Sequence, residues 1–230
     1  MGAKRRAGGE AGDAEGRERD PPRPPSAEQL YRRGKELAER GELQEAVELY
    51  REVLEREPRH LKARNNLGWA YDRLGRREEA LEEYGKALEL DPENPQLLTN
   101  VGALLGSLGR YAEAERELRR AVRLDASSAD AHLNLGLVQF RKGLYEEAVQ
   151  ELQKAIELDD GQPAAFFHLG AAYNRLGRVE EALEAMQKVL ELQPENARAY
   201  YTLGILHDRR QEPQLAEEMY RKARELDSPV

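Results

Sequence analysis

The sequence predicts an all-α fold, a stack of six helical hairpins, on three observations. A period of 34 residues runs from Ala27 to Val230 without one insertion or deletion. Two columns of small residues are complete in all six blocks. The composition is 35% charged but only 6% aromatic, a balance of Ala, Glu, Leu and Arg that favours helix over a compact α/β core.

The blocks are 27–60, 61–94, 95–128, 129–162, 163–196 and 197–230. Position 8 is Gly34, Gly68, Gly102, Gly136, Gly170 and Gly204, and position 20 is Ala46, Ala80, Ala114, Ala148, Ala182 and Ala216. Helices that cross closely need small residues where their backbones approach, and these columns supply them on facing helices. Position 15 is Gly41, Gly75, Gly109, Gly143 and Gly177, the left-handed cap that stops each first helix. Gln211 breaks that column, and Pro213 then opens the second helix of the last block. Pro58, Pro92 and Pro194 at position 32 end second helices. Apolar residues at positions 7, 24 and 27 recur at helical spacing and form the inner seam of the stack.

At these residues the chain resembles the tetratricopeptide repeat (TPR) family. NLGWAYDRLGRREEALEEYGKALELDP in the second block and HLGAAYNRLGRVEEALEAMQKVLELQP in the fifth carry the pattern best, and the match covers residues 27–230. The resemblance implies a right-handed superhelical solenoid of antiparallel hairpins, with first helices on the concave face and second helices outside. It also implies a non-catalytic module for protein–protein interaction. Polar replacements at the two ends, Arg33 at position 7 and Arg224 at position 28, suit a self-capped array. Tyr220 and Leu226 are expected to stay partly exposed there and could support end-to-end contact with a second copy.

Residues 1–26 are charged and proline-rich without periodicity, which predicts a disordered arm. The arm holds six basic and five acidic residues, so it nets +1 and leaves −9 on the array. An acidic body disfavours nucleic acid as a partner. Membrane contact is expected only through Lys4, Arg5 and Arg6 of the arm. The chain has no cysteine, no apolar run long enough to span a bilayer and no apolar core for a secretory signal, so a cytoplasmic location is expected.

No catalytic constellation is present: no phosphate loop, no His-Glu-x-x-His and no cysteine nucleophile. The histidines (His60, His132, His168, His207) occupy non-equivalent positions apart from any shared carboxylate pattern, so no metal and no cofactor are expected. The pairs Glu78-Glu79, Glu146-Glu147 and Glu180-Glu181 open second helices, where they meet the positive end of the helix dipole.

The concave surface remains. Positions 4, 7, 8 and 11 are expected to face the core, and positions 2, 5, 9 and 12 the groove. This predicts a polar N-terminal half with Tyr31, Lys35, Lys62, Asn65 and Asp72 around Trp69. The C-terminal half is apolar, with Leu133, Leu137, Phe140, Phe167, Tyr201 and Ile205, and such a strip marks an interaction site. Ala103 and Gly106 are expected to leave space between the halves. Asn66, Asn100 and Asn134 at position 6 form a ladder whose amides can grip peptide backbone. It is similar to the ladder on the repeat domain of O-linked N-acetylglucosamine transferases. A carboxylate clamp of the chaperone-binding type is not expected, because Thr99 and Ala103 stand where basic residues are wanted. The expected function is an adaptor or scaffold that binds a protein or peptide segment in this groove. The alternatives are a self-assembling scaffold and an accessory or targeting subunit of a larger enzyme or membrane complex.

Overall fold

The computed structural model describes residues 24–227. Among them are twelve α-helices and no strand: α1 (Ala27–Glu39), α2 (Leu43–Arg56), α3 (Leu61–Arg73), α4 (Arg77–Leu90), α5 (Pro95–Ser107), α6 (Tyr111–Leu124), α7 (Ala129–Lys142), α8 (Tyr145–Leu158), α9 (Pro163–Arg175), α10 (Val179–Leu192), α11 (Ala197–Arg209) and α12 (Pro213–Asp227). Most of the arm and the last three residues lie outside the described part. Ser26 does not belong to the arm in structural terms. It caps α1 through a reciprocal box with Gln29, and Pro25 accepts a bond from Arg56, so the array begins before its first periodic residue.

Every first helix ends in the same turn. Glycines 41, 75, 109, 143 and 177 have φ between +76° and +82°. The residue after each donates its N–H back to a carbonyl five positions earlier, as Arg76 does to Tyr71 at 2.8 Å, closing a Schellman motif. Gln211 takes the same conformation at φ +61°, and Glu212 still closes the turn onto His207 at 3.0 Å. The turn is therefore imposed by the hairpin, at an energetic cost in the last block where a Cβ is present.

The helices pair in sequence as antiparallel hairpins, and each second helix packs on the first helix of the next hairpin. Successive first helices also touch one another, from α1 with α3 to α9 with α11, whereas no two second helices do among the described residues. That asymmetry curves the stack: first helices crowd on the inner face and second helices splay outside.

The position-8 glycines work somewhat differently from the sequence expectation. A Cβ on Gly102 would lie 2.4 Å from Leu118 Cγ, on Gly136 2.7 Å from Leu152 Cγ, and on Gly204 2.4 Å from Tyr220. The glycine seats the side chain at position 24, and the position-20 backbone is a secondary neighbour. A glycine inside a helix costs about 1 kcal/mol, and complete burial of a leucine stabilises by about 2 kcal/mol, so the exchange favours the fold.

Positions 3 and 10 are buried as well, which the expected core face omitted: Ala63, Leu97, Ala131, Ala165 and Ala199, then Ala70, Leu104, Val138, Ala172 and Leu206. They face the preceding hairpin. In α1 the equivalent Gln29 and Glu36 are polar and exposed, as is Arg33 at position 7. Gly106 is likewise a packing residue and opens no space. A Cβ there would stand 3.1 Å from Val138 Cγ2, and α5 and α7 share the most extensive contact between first helices.

Two large apolar clusters make up most of the core, one over α1–α7 and one over α8–α11, with a small third of Leu98, Ala121 and Ala131. Glu117, His132 and Gln139 are buried polar residues on α6 and α7. The histidines are not apart from carboxylates. His132 Nδ1 lies 2.6 Å from Glu151, and His207 Nδ1 lies 2.7 Å from Glu212. The first pairing comes from the packing of α7 on α8, 19 residues apart, and the second spans the turn between α11 and α12, five residues apart. No cluster of three metal-ligating groups occurs among the described residues. His168 differs: its Nδ1 is buried without a partner, and burial, then Arg141 and Arg198, push its pKa down to about 4.

Gly102→Ala should destabilise the array by about 1–3 kcal/mol, because Leu118 is fully buried and must shift. Gly85→Ala, in mid-helix with nothing within 4 Å of its Cβ, should stabilise by up to about 1 kcal/mol. Thermal denaturation of the two variants checks the opposite signs.

The folded chain holds His168 neutral, so below its ordinary value of 6.5 the unfolded chain binds the extra proton. Its contribution is intact above that pH and is lost towards about pH 4, by about 3 kcal/mol in all. His168→Asn, the residue at three equivalent positions, should flatten the decline in urea midpoint between about pH 7 and pH 5. Equal declines in both proteins contradict this account.

Candidate functional site

The inner face divides into two regions, as expected, but its open surface is smaller than the sequence strip. In the N-terminal half, Lys35, Ala38, Tyr50, Asn65, Asn66, Trp69, Gln96 and Asn100 line a cavity of about 390 Å³. Trp69 is 40% exposed, with the Arg73 guanidinium 5.9 Å from its ring. Lys35 stands 3.6 Å from Glu39. Tyr31 is half-buried, with its ring 5.0 Å from His60.

The asparagines do not form one free row. Asn66 donates to the Tyr31 and Tyr50 hydroxyls at 3.4 and 3.5 Å, and Asn100 donates to Asn65 at 2.9 Å. Asn134 bends back to its own helix and donates to the Asp130 carbonyl at 2.8 Å. A short polar side chain on a helix satisfies itself locally when it can. Thr99, expected in the groove, is 3% exposed and donates to the Pro95 carbonyl at 2.8 Å.

In the C-terminal half, Leu133, Leu137 and Phe140 are half-buried against the second core cluster. The Phe140 ring is held edge-on by Tyr145 at 5.4 Å and by His168 at 6.0 Å. These three form the wall of the groove. The open surface lies further along, where Phe167, Tyr201 and Ile205 border a cavity of about 790 Å³. Tyr201 is 57% exposed and leans on Tyr220 at 5.4 Å, and the Tyr220 hydroxyl donates to Asp208 at 2.7 Å. Of the other residues around this cavity, Arg198 holds position 2, which was expected to face the groove, whereas Thr202, Tyr220 and Ala223 are not among the expected groove residues. Ala223 belongs to a column expected in the internal seam, and Tyr220, of the same seam but expected to stay partly exposed, was assigned to end-to-end contact and not to the groove.

Charge is segregated between the two layers. Of the first helices, α1 and α5 are neutral, α3 carries +2, and α7, α9 and α11 carry +1 each. Of the second helices, α4, α8 and α10 carry −3 each, α2 carries −2, α12 −1, and only α6 is positive, at +1. The overall charge of −8 therefore belongs to the outside of the solenoid and does not describe the groove. An argument about partners from net charge alone misses this, because 34-residue blocks average the two layers together.

The model of the cilia and flagella-associated protein 70 C-terminal domain matches residues 3–228. No curated protein gives a significant match. Among solved structures, MamA aligns with a TM-score of 0.64 at 29% identity, over 70% of this chain and 94% of its own. YrrB, described as a TPR protein with an unusual peptide-binding site, aligns at 0.64 and 26% identity, over 79% of this chain and 93% of its own. The anaphase-promoting complex hetero-tetramer Cut9-Hcn1 aligns at 0.81 over 88% of this chain and 40% of its own, and at 19% identity the likeness is one of fold. The right-handed stack of hairpins, its invariant small columns and the nearly complete family match agree, and the chain belongs to the tetratricopeptide repeat family of the cilia and flagella-associated protein 70 C-terminal domain.

Proposed function

We propose that this chain is a non-catalytic adaptor that holds a peptide or protein segment in the C-terminal half of its concave groove. The observation that carries the reading is the open cavity of about 790 Å³ at Phe167, Tyr201 and Ile205, with Tyr201 left 57% exposed. A concave apolar surface with a few polar groups at its rim is the form of a recognition site. Contact with a bound segment would bury the Tyr201 ring, and a micromolar complex corresponds to about −8 kcal/mol. The YrrB description supports peptide capture by this kind of array. The family's name supports an accessory-subunit role, in which the array mounts a segment of a ciliary or flagellar assembly.

Affinity capture with the full chain, compared with a Phe167→Ala, Tyr201→Ala double variant, tests the groove. Captured partners should fall about tenfold, as expected when two anchoring rings are truncated. Tyr201→Ala alone, at an exposed position, separates lost contact from lost folding. Unchanged capture by both variants rejects the reading.

End-to-end stacking of copies has weaker support. Leu226 is 41% exposed, but its equivalents Leu124, Leu158 and Leu192 inside the array are 45%, 36% and 42% exposed, so its exposure is no mark of a missing neighbour. The first end presents Gln29, Arg33, Glu36 and Arg40, and the last presents Glu217, Arg221 and Arg224, all exposed. Stacking would desolvate these groups, a cost of several kcal/mol for each ion. Light scattering over a concentration series should return the monomer mass throughout; a mass that rises with concentration restores the self-assembling scaffold.

A further inference from the structure

We propose that the segment received beside Phe167, Tyr201 and Ile205 is acidic, with aromatic or branched aliphatic anchors between its carboxylates. The inference rests on the groove reading and names the partner's chemistry. Its first support is the positive charge of α7, α9 and α11 within a chain of net charge −8. Its second is the state of the arginines on those helices. Arg141, Arg175, Arg198 and Arg209 form no ion pair among the described residues, although glutamates are abundant. Arginines just before second helices behave otherwise: Arg76, Arg110 and Arg178 each clamp a glutamate three residues on.

Helix stability accounts for part of this pattern but not all of it. Arg141, Arg175 and Arg209 lie in the last turns of α7, α9 and α11, where a cation complements the carbonyl end of the helix. Arg198 lies in the first turn of α11, where the dipole opposes a positive charge. It is held there by Phe167, whose ring centre is 4.8 Å from its guanidinium. Arg198 borders the large cavity on one side and, with Phe167 and His168, a smaller one of about 280 Å³ on the other.

Arg141, in the last turn of α7, adds a second positive charge that together with Arg198 lowers the pKa of His168. The Arg198 guanidinium thus lies over an apolar floor without an ion pair, and Arg209, also without one, reaches the Asn174 carbonyl at 2.8 Å. The acidic groups nearby do not neutralise them. Asp208 accepts the Tyr220 hydroxyl, and Asp227, which also lines the large cavity, forms no ion pair with Arg198. Carboxylates are what such guanidiniums bind best, in paired hydrogen bonds. A nucleic acid is disfavoured because a backbone that leaves the groove meets the strongly acidic α8 and α10.

Panning the full chain against a display library of random dodecapeptides decides the matter. Wild-type protein should select peptides of net negative charge that contain Phe, Tyr, Leu or Ile. An Arg141→Glu, Arg198→Glu variant, changed only at exposed positions and checked for folding by circular dichroism, should bind the selected peptides at least about tenfold more weakly. Raising the salt concentration should weaken wild-type binding by several-fold. Neutral or basic selected peptides overturn the acidic assignment, and so does a charge-reversed variant that binds acidic peptides as wild type does. In both cases the groove reading survives if Phe167→Ala, Tyr201→Ala still abolishes capture. Tighter binding of single-stranded nucleic acid at the same residues, or a dimer in light scattering that no selected peptide dissociates, also overturns the assignment. A wild-type chain that selects nothing removes both readings together.

Discussion

The contact between the glycine at position 8 of each hairpin and the side chain at position 24 is the constraint on which the array depends. Single hairpins are too thin to bury their apolar faces, so their two helices must approach closely and then pass the remaining face to a neighbour. With Leu118 2.4 Å from the point where a Gly102 Cβ would stand, that approach leaves no room for a methyl group. Close packing within the hairpin places positions 3, 7 and 10 of the first helix against the previous hairpin and turns positions 5 and 9 inward. The groove follows from the same packing that stabilises the fold.

Curvature then separates the two layers chemically. First helices meet each other along the inside, so their shared surface carries small residues, amides and a few rings. Second helices have no such neighbours and carry the glutamates. Those acids satisfy the positive helix starts and pair with arginines of the same layer, as Glu79 does with Arg76 and Glu181 with Arg178. Arg64 on α3 shares that supply through Glu83, whereas Arg141, Arg175, Arg198 and Arg209 on the later first helices form no ion pair among the described residues. A solenoid can thus be acidic as a whole and basic where it meets a segment.

Within the groove the site narrows towards one end. Leu133, Leu137 and Phe140 support the wall from α7, and His168, its Nδ1 buried without a hydrogen-bond partner, packs against Phe140 and Phe167. Where the other hairpins have a following first helix, α12 leaves Tyr220 only half-covered, and Tyr201 stands above it in water. The largest cavity bordered by the inner face lies at that step.

What the sequence determined by itself is everything that rests on local chemistry repeated at 34 residues. The small columns, the left-handed glycines and the proline helix starts name the twelve helices and their pairing, because a cap or a close crossing needs particular residues whatever surrounds it. Even Gln211 obeys the turn its column predicts. Only the tertiary structure decided which inward residues are open. Thr99 bonds its own backbone, Asn66 turns to two tyrosines, Gly106 is filled by Val138, and Leu226 is no more exposed than its equivalents inside the array. Exposure, partner and field belong to the neighbours across the packing, up to 35 residues away in the chain, and a column of letters carries no record of them.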